Sequence, residues 1–151
     1  MRVLVQRVAR ASVSVEGNVI AAIGRGLLLL VGVGRGDTQA PLDRLASRCV
    51  NLRIFADDAG KMNRSVLDLG GEILAVSQFT LYGDASGGNR PGFTEAARPE
   101  AAMPLFDEFV SLLARSLGKP VLTGRFGADM KVELVNDGPV TLWLEAAPGS
   151  A

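Results

Sequence analysis

The chain has 151 residues, with sixteen basic and sixteen acidic side chains and no histidine. That length fits one domain, and the zero net charge excludes a global field that would draw in nucleic acid or membrane. Any enzymatic chemistry must work without the usual general base of neutral pH.

Nearly half of the residues are apolar (48%), enough for a core without metal or disulfide staples. Lysine occurs only at Lys61, Lys119 and Lys131, so the cations are mostly arginine. Arginine is the better planar partner for carboxylate or phosphate, although coding bias or a surface preference explains the same excess. The single cysteine, Cys49, rules out an intrachain disulfide. It lies on an apolar stripe with Leu42, Leu45 and Leu52 and reads as a buried, inert thiol. No apolar run reaches transmembrane length, and the N-terminus lacks a signal-peptide pattern. The expectation is a soluble cytoplasmic protein with no membrane partner.

Residues 2–8 alternate as a strand. Val13 and Val15 continue the pattern, Gly17-Asn18 signals a turn, and Val19 to Ile23 resumes an extended run, which together read as a hairpin. After a turn at Gly24-Arg25-Gly26, Leu27 to Val33 is continuously apolar, as in a strand buried on both faces. Thr38 is a candidate cap for a helix with Pro41 in its first turn, running to about residue 52. Asp57-Asp58-Ala59-Gly60 is a turn, and Ile73 to Leu81 is a strand. Residues 83–98 form a Gly-rich polar loop carrying Arg90 and Arg98. A second helix spans about 99–117 with Met103, Phe106, Val110, Leu113 and Leu117 as its stripe, stopped by Gly118 and Pro120. Met130, Val132 and Leu134, then Val140, Leu142 and Leu144, mark two strands flanking Asn136-Asp137-Gly138-Pro139, a tight turn or short linker. Many strands with two main helices predict an α+β single domain, a largely antiparallel, barrel-like β-sheet over residues 1–145 with a loose tail at 146–151.

Gly32-Val33-Gly34-Arg35-Gly36-Asp37 invites a dinucleotide-loop reading, but Asp37 stands where a third glycine is needed. It reads instead as the turn by which the chain leaves a buried strand. The acids are scattered, and no motif calls for a metal or a cofactor.

Ser77-Gln78-Phe79-Thr80 ends an apolar strand with polar groups close together. If the chain bends there, free backbone N–H groups can bind a carbonyl oxygen, the usual form of oxyanion stabiliser. An ordinary polar strand edge fits the same residues. Asn136-Asp137-Gly138-Pro139 is either a generic turn or a rigid backbone presenting carbonyl oxygens to a ligand; Pro139 suits the start of a strand. Arg7 shares a face with Val3 and Val5, where a charge is paired, binds a ligand or reaches solvent at an edge.

Together these segments resemble the D-aminoacyl-tRNA deacylases. Val5-Gln6-Arg7-Val8 with Ala11-Ser12-Val13 is similar to that family's opening. Ser77-Gln78-Phe79-Thr80-Leu81 and Asn136-Asp137-Gly138-Pro139-Val140-Thr141 resemble its two signatures. Thr123-Gly124-Arg125-Phe126 with Ala128-Asp129-Met130 resembles a further block. Arg90-Pro91-Gly92-Phe93 resembles its loop, which more often has Ser where Gly92 stands. The blocks run in the right order over about residues 1–145.

The resemblance implies a homodimer of barrel-like subunits that hydrolyses the ester joining a D-amino acid, or mischarged glycine, to the 3′ end of tRNA. It implies a catalytic segment Ser77, Gln78, Phe79 and Thr80. It implies a cis Gly138-Pro139 element that enters the neighbouring subunit's pocket, holds the α-amino group and leaves no room for an L side chain. Arg7 and Met130 match positions that orient this element, and Phe126 is a candidate wall of the adenosine pocket, or a core residue. Oxyanion stabilisation by the N–H groups of Phe79 and Thr80, with help from the ribose 2′-OH, is preferred over covalent catalysis by Thr80. Two rivals remain: a small-ester hydrolase using Ser77 or Thr80, and a non-catalytic module that binds a tRNA end or DNA.

Overall fold

The computed structural model describes residues 1–146. In chain order the elements are β1 (Arg2–Val15), β2 (Asn18–Ile23), β3 (Gly26–Gly32), α1 (Leu42–Asn51), β4 (Phe55–Ala56), β5 (Met62–Arg64), β6 (Glu72–Ser77), a 3-10 turn (Phe79–Tyr82), α2 (Pro99–Leu117), β7 (Leu122–Thr123) and β8 (Lys131–Glu145). The main sheet runs β2-β1-β3-β6-β7, with β8 also paired to β1, and β4–β5 form a separate hairpin. β1 is long enough to pair with β3 through its first half, β2 through its second, and β8 along most of its length, all antiparallel. β3–β6 and β6–β7 are parallel, because α1 and then α2 carry the chain back across the sheet. β2 also approaches β6 and β7, so the mixed sheet curls nearly into a barrel.

Two apolar clusters hold it. One lies between the sheet and the helices and joins Val3, Val5, Leu27 and Leu29 to Leu45, Cys49, Phe106 and Phe109. The other fills the barrel with Val8, Ala11, Val13, Leu28, Leu74 and Val76. The apolar run of β3 feeds both, as a strand covered on both faces must. β1 changes the face it offers each cluster by means of register shifts opposite β8, between Gln6 and Val8 and between Val8 and Arg10.

Several sequence expectations shift. The hairpin turn is Glu16-Gly17, one residue early, and both residues have positive φ (50° and 79°), as a two-residue turn between twisted strands requires. Thr38 caps nothing: α1 begins after Pro41, with no side-chain cap. Helix α2 keeps its predicted span, and Gly118 closes it at φ 75°. Its buried stripe, however, takes Phe109 and Leu112 and leaves Met103 exposed. β6 stops at Ser77 instead of running to Leu81, and the two predicted last strands are one, β8. Of the predicted tail, Ala146 is tied by its N–H to the Met1 carbonyl at 2.9 Å; residues 147–151 lie outside the described residues. Among the described residues no helix is long and apolar enough to cross a membrane.

Candidate functional site

The site grows from the end of β6. Gln78 N–H still bonds the Val31 carbonyl of β3 at 2.8 Å, but the chain then bends into the 3-10 turn. Leu81 N–H returns to the Gln78 carbonyl (3.3 Å) and Gly83 N–H to the Thr80 carbonyl (2.9 Å). The first N–H groups of a helical turn have no partner within it. Those of Phe79 and Thr80 find no acceptor among the described residues.

Glycine makes this bend possible. A Cβ on Gly32 would lie 3.0 Å from the Gln78 carbonyl oxygen, and one on Gly34 would lie 2.6 Å from the Tyr82 ring. The segment read from sequence as a chain-exit turn is therefore also the bed on which the 3-10 turn rests. Two further contacts fasten it. Arg2 stacks 4.1 Å over the Tyr82 ring and donates to the Leu81 carbonyl at 2.9 Å. The Met1 ammonium meets the Asp37 carboxylate at 2.6 Å with both groups buried, and Gly34 N–H and Tyr82 O–H donate to the same carboxylate oxygen (2.7 and 3.5 Å). Burial and the neighbouring Asp37 charge push the Tyr82 phenol well above its usual range.

Beside the turn opens an apolar cavity of about 600 Å³. Ser77, Gln78 and Phe79 form one wall. Opposite stand Phe126 and Met130, and the start of α2 closes one end. Phe126 both lines the cavity and packs on Phe106, with ring centroids 6.2 Å apart, so the pocket and core readings of this residue both hold. Met130 folds back over Gly124, where its sulfur accepts the Arg125 N–H at 3.3 Å; a Cβ on Gly124 would sit 2.5 Å from that sulfur. Thr80 stands on the turn but not in the cavity wall, and its hydroxyl receives a hydrogen bond from the Gln78 amide. Among the described residues no base touches Thr80. Asp84 spends its carboxylate on Ser86, whose side chain and N–H (2.9 Å) hold it below the usual carboxylate range.

Arg7, Gly138 and Pro139 are elsewhere. Between the pairs Gln6–Thr141 and Val8–Asn136, β8 carries four residues that β1 does not match, so 137–140 bulge from the sheet. The Gly138-Pro139 bond is cis and Gly138 has φ 142°. Asn136 closes the base of the bulge: its Oδ1 accepts Val140 N–H and its Nδ2 donates to Thr141 Oγ1, both at 2.8 Å. Arg7, at the edge of the helix-side core, donates from Nε to the Asp137 carbonyl (2.7 Å) and from Nη1 to the Ile54 carbonyl (2.5 Å). Within one chain Arg7 supports this element, whereas Met130 belongs to the cavity. The sequence reading assigned no role to Arg2, Asn136, Gly32 or Gly34. Asn136 lay inside a segment that it singled out, and Gly32 and Gly34 inside one that it read only as a chain-exit turn.

The sequence profile described as D-Tyr-tRNA(Tyr) deacylase matches residues 4–145. The chain belongs to this deacylase family. It is 61% identical to the D-aminoacyl-tRNA deacylase of Chlorobaculum parvum, over 97% of this chain and 98% of that protein. It is 62% identical to the Chloroherpeton thalassium protein of the same name, over 97% and 96%. A solved structure described as c-Myc DNA Unwinding Element Binding Protein superposes with a TM-score of 0.92 at 44% identity, covering 97% of this chain and 99% of that one. A second, a probable eukaryotic D-amino acid tRNA deacylase, shares the fold with a TM-score of 0.80 at 18% identity, over 95% and 97%.

Proposed function

We propose that this chain hydrolyses the ester of D-aminoacyl-tRNA, and of glycine mischarged on tRNA, while rejecting L-aminoacyl-tRNA. The observation that carries this reading is the pair of unpartnered N–H groups, Phe79 and Thr80, at the edge of an apolar cavity. Donors fixed before the reaction stabilise an oxyanion without reorganising. The aminoacyl ester is already reactive, so water positioned by the adjacent ribose 2′-OH suffices. Thr80 is a poor nucleophile here, because its oxygen faces an amide donor and not a base.

Selection against L substrates is assigned to the backbone of the Gly138-Pro139 bulge, whose carbonyl oxygens hold the α-amino group. That bulge is absent from the cavity of its own chain. The reading therefore includes a homodimer in which each bulge enters its partner's cavity. The exposed Val135, Leu142 and Trp143 of β8, beside the bulge, are the apolar surface such a dimer would cover. A cytoplasmic location goes with a translation substrate. The competing binding-module reading gains from the nucleic-acid name of the 44%-identical structural relative. The two separate in one assay, release of amino acid from D-Tyr-tRNA and L-Tyr-tRNA. Release from the D form alone supports chiral proofreading. Release from both forms supports a general esterase, and tight binding without release supports a binding module.

A further inference from the structure

A second cavity, of about 610 Å³, lies directly beside the first. The two share Phe93, Ala96, Ala97 and Arg98 as a common wall. The second is open and more polar, and Arg35 and Asp37 line its far side. Asp37 brings little free charge to it, because its carboxylate is buried against the Met1 ammonium. The guanidinium groups of Arg35 and Arg98 are exposed. Neither forms a hydrogen bond or ion pair with a described residue. At the shared rim stand two exposed aromatic rings, Phe79 (56% exposed) and Phe93 (37%), edge to face with centroids 5.2 Å apart.

We propose that this second cavity holds the nucleotide preceding the terminal adenosine of the RNA strand. Its phosphodiester lies between Arg35 and Arg98, and its base stacks on Phe93. The assignment rests on the reading that the aminoacylated end of tRNA occupies the first cavity. Three properties then converge. A strand entering the first cavity must leave through an open neighbour, and the second cavity adjoins the first along their shared wall. The phosphate next along that strand needs cations not already paired, and two arginines provide planar donors matched to phosphate oxygens. Unpaired bases of a single strand seek exposed aromatic faces, and Phe93 borders both cavities. The chain reaches this local complementarity at zero net charge, so contact is confined to the strand's end and the body of the tRNA contributes little.

The test uses binding, so that it reads independently of turnover. A 5′-fluorescein-labelled CpCpA trinucleotide and free adenosine are titrated against the wild type, Arg35→Ala, Arg35→Lys and Arg98→Ala. The expected result is tighter binding of CpCpA than of adenosine by the wild type. Arg35→Ala should weaken CpCpA about tenfold, a loss in keeping with one charge-assisted phosphate contact, while adenosine affinity moves less than twofold. Arg35→Lys should restore part of the loss. Raising salt should weaken CpCpA with a slope of about −0.7 for one single-strand phosphate contact, and less steeply in either alanine variant. Equal affinity of the wild type for CpCpA and adenosine overturns the proposal, as does undiminished CpCpA binding by both alanine variants. Failure of the hydrolytic reading looks different: D-Tyr-tRNA stays intact, whatever the trinucleotide does.

Discussion

Arg7 Nε donates to the Asp137 carbonyl oxygen at 2.7 Å while its Nη1 holds the Ile54 carbonyl. One guanidinium thus ties the β8 bulge to the segment that follows α1. Its ring neighbour is Phe55, whose centroid lies 6.0 Å from the guanidinium carbon. Lysine cannot span two carbonyls with a fixed fork. Arg7→Lys should leave the fold intact and cost about 1 kcal/mol of stability. It should lower kcat/KM for D-Tyr-tRNA about tenfold, a loss of about 1.4 kcal/mol of transition-state stabilisation. Steady-state deacylation beside a urea melt checks both effects, and unchanged kinetics would show that the bulge needs no support from Arg7.

Gly138 leaves no room for a side chain. A Cβ there would lie 2.9 Å from Arg7 Nη2 and 2.9 Å from Val140 Cγ2, at a φ of 142° that L residues rarely adopt. Gly138→Ala should displace the backbone that the proposed chiral filter depends on. The expected outcome is loss of D-Tyr-tRNA deacylation by about 100-fold, the size of effect that misplacing a positioning group by about 1 Å produces. The variant should keep native circular dichroism. Full activity in this variant would remove the bulge from the mechanism.

The Met1–Asp37 pair offers a test of how the 3-10 turn is held. Both groups are buried, and removing one charge strands the other. Asp37→Asn should destabilise the protein by about 3–5 kcal/mol and lower Tm by roughly 10 °C. It should also loosen Tyr82, whose hydroxyl shares the carboxylate. Differential scanning calorimetry at neutral pH measures the loss. A shift of less than about 2 °C would show that solvent reaches the pair.

Much of this was legible in the sequence, and the misses have physical causes. The run Leu27 to Val33 announced a strand buried on both faces, and the helical spacing ending at Gly118 announced α2. The parallel partners of β6 were not legible, because strand pairing after a crossover depends on where α1 and α2 dock, which no local pattern encodes. β4 and β5, at two and three residues, are too short to show a period. Within the site, Ser77 to Phe79, Phe126 and Met130 do converge on one cavity. Arg7 and Gly138-Pro139 sit apart from that cavity within the chain; the sequence reading had assigned this element to a neighbouring subunit's pocket, on the resemblance alone. Gly32 and Gly34 looked like turn glycines because their role is to make room for a segment more than forty positions away, near Gln78 and Tyr82.

Cys49 links stability to pH. Burial against the helix-side core pushes its thiol from 9.0 up to about 12. Below the unfolded value of about 8.5 both states keep the proton, and this contribution to stability is fully present. As pH rises from there toward 12, the unfolded thiol ionises first and stability falls. The urea midpoint should therefore drop between pH 8 and pH 10, and Cys49→Ala should flatten that drop. At pH 8 the native protein should not react with a chromogenic disulfide reagent, whereas the unfolded protein should react at once. Rapid labelling of the native state would place Cys49 at the surface.

Thr80 separates the two mechanisms most directly. A covalent route needs the hydroxyl deprotonated, yet the group it touches is the Gln78 amide, which donates to it. The chain has no histidine to take its place. The backbone route needs only the N–H of residue 80, which alanine retains, and the bend that Gly32 and Gly34 accommodate. Thr80→Ala should therefore keep single-turnover deacylation of D-Tyr-tRNA within about tenfold of the wild type, as loss of one side-chain hydrogen bond near the site would allow. Loss of a nucleophile would instead cost several orders of magnitude. A folded Thr80→Ala protein that traps no acyl-enzyme and turns over at near-native rate would leave the oxyanion contacts as the source of catalysis. A dead one would make Thr80 the nucleophile and require a search for its base.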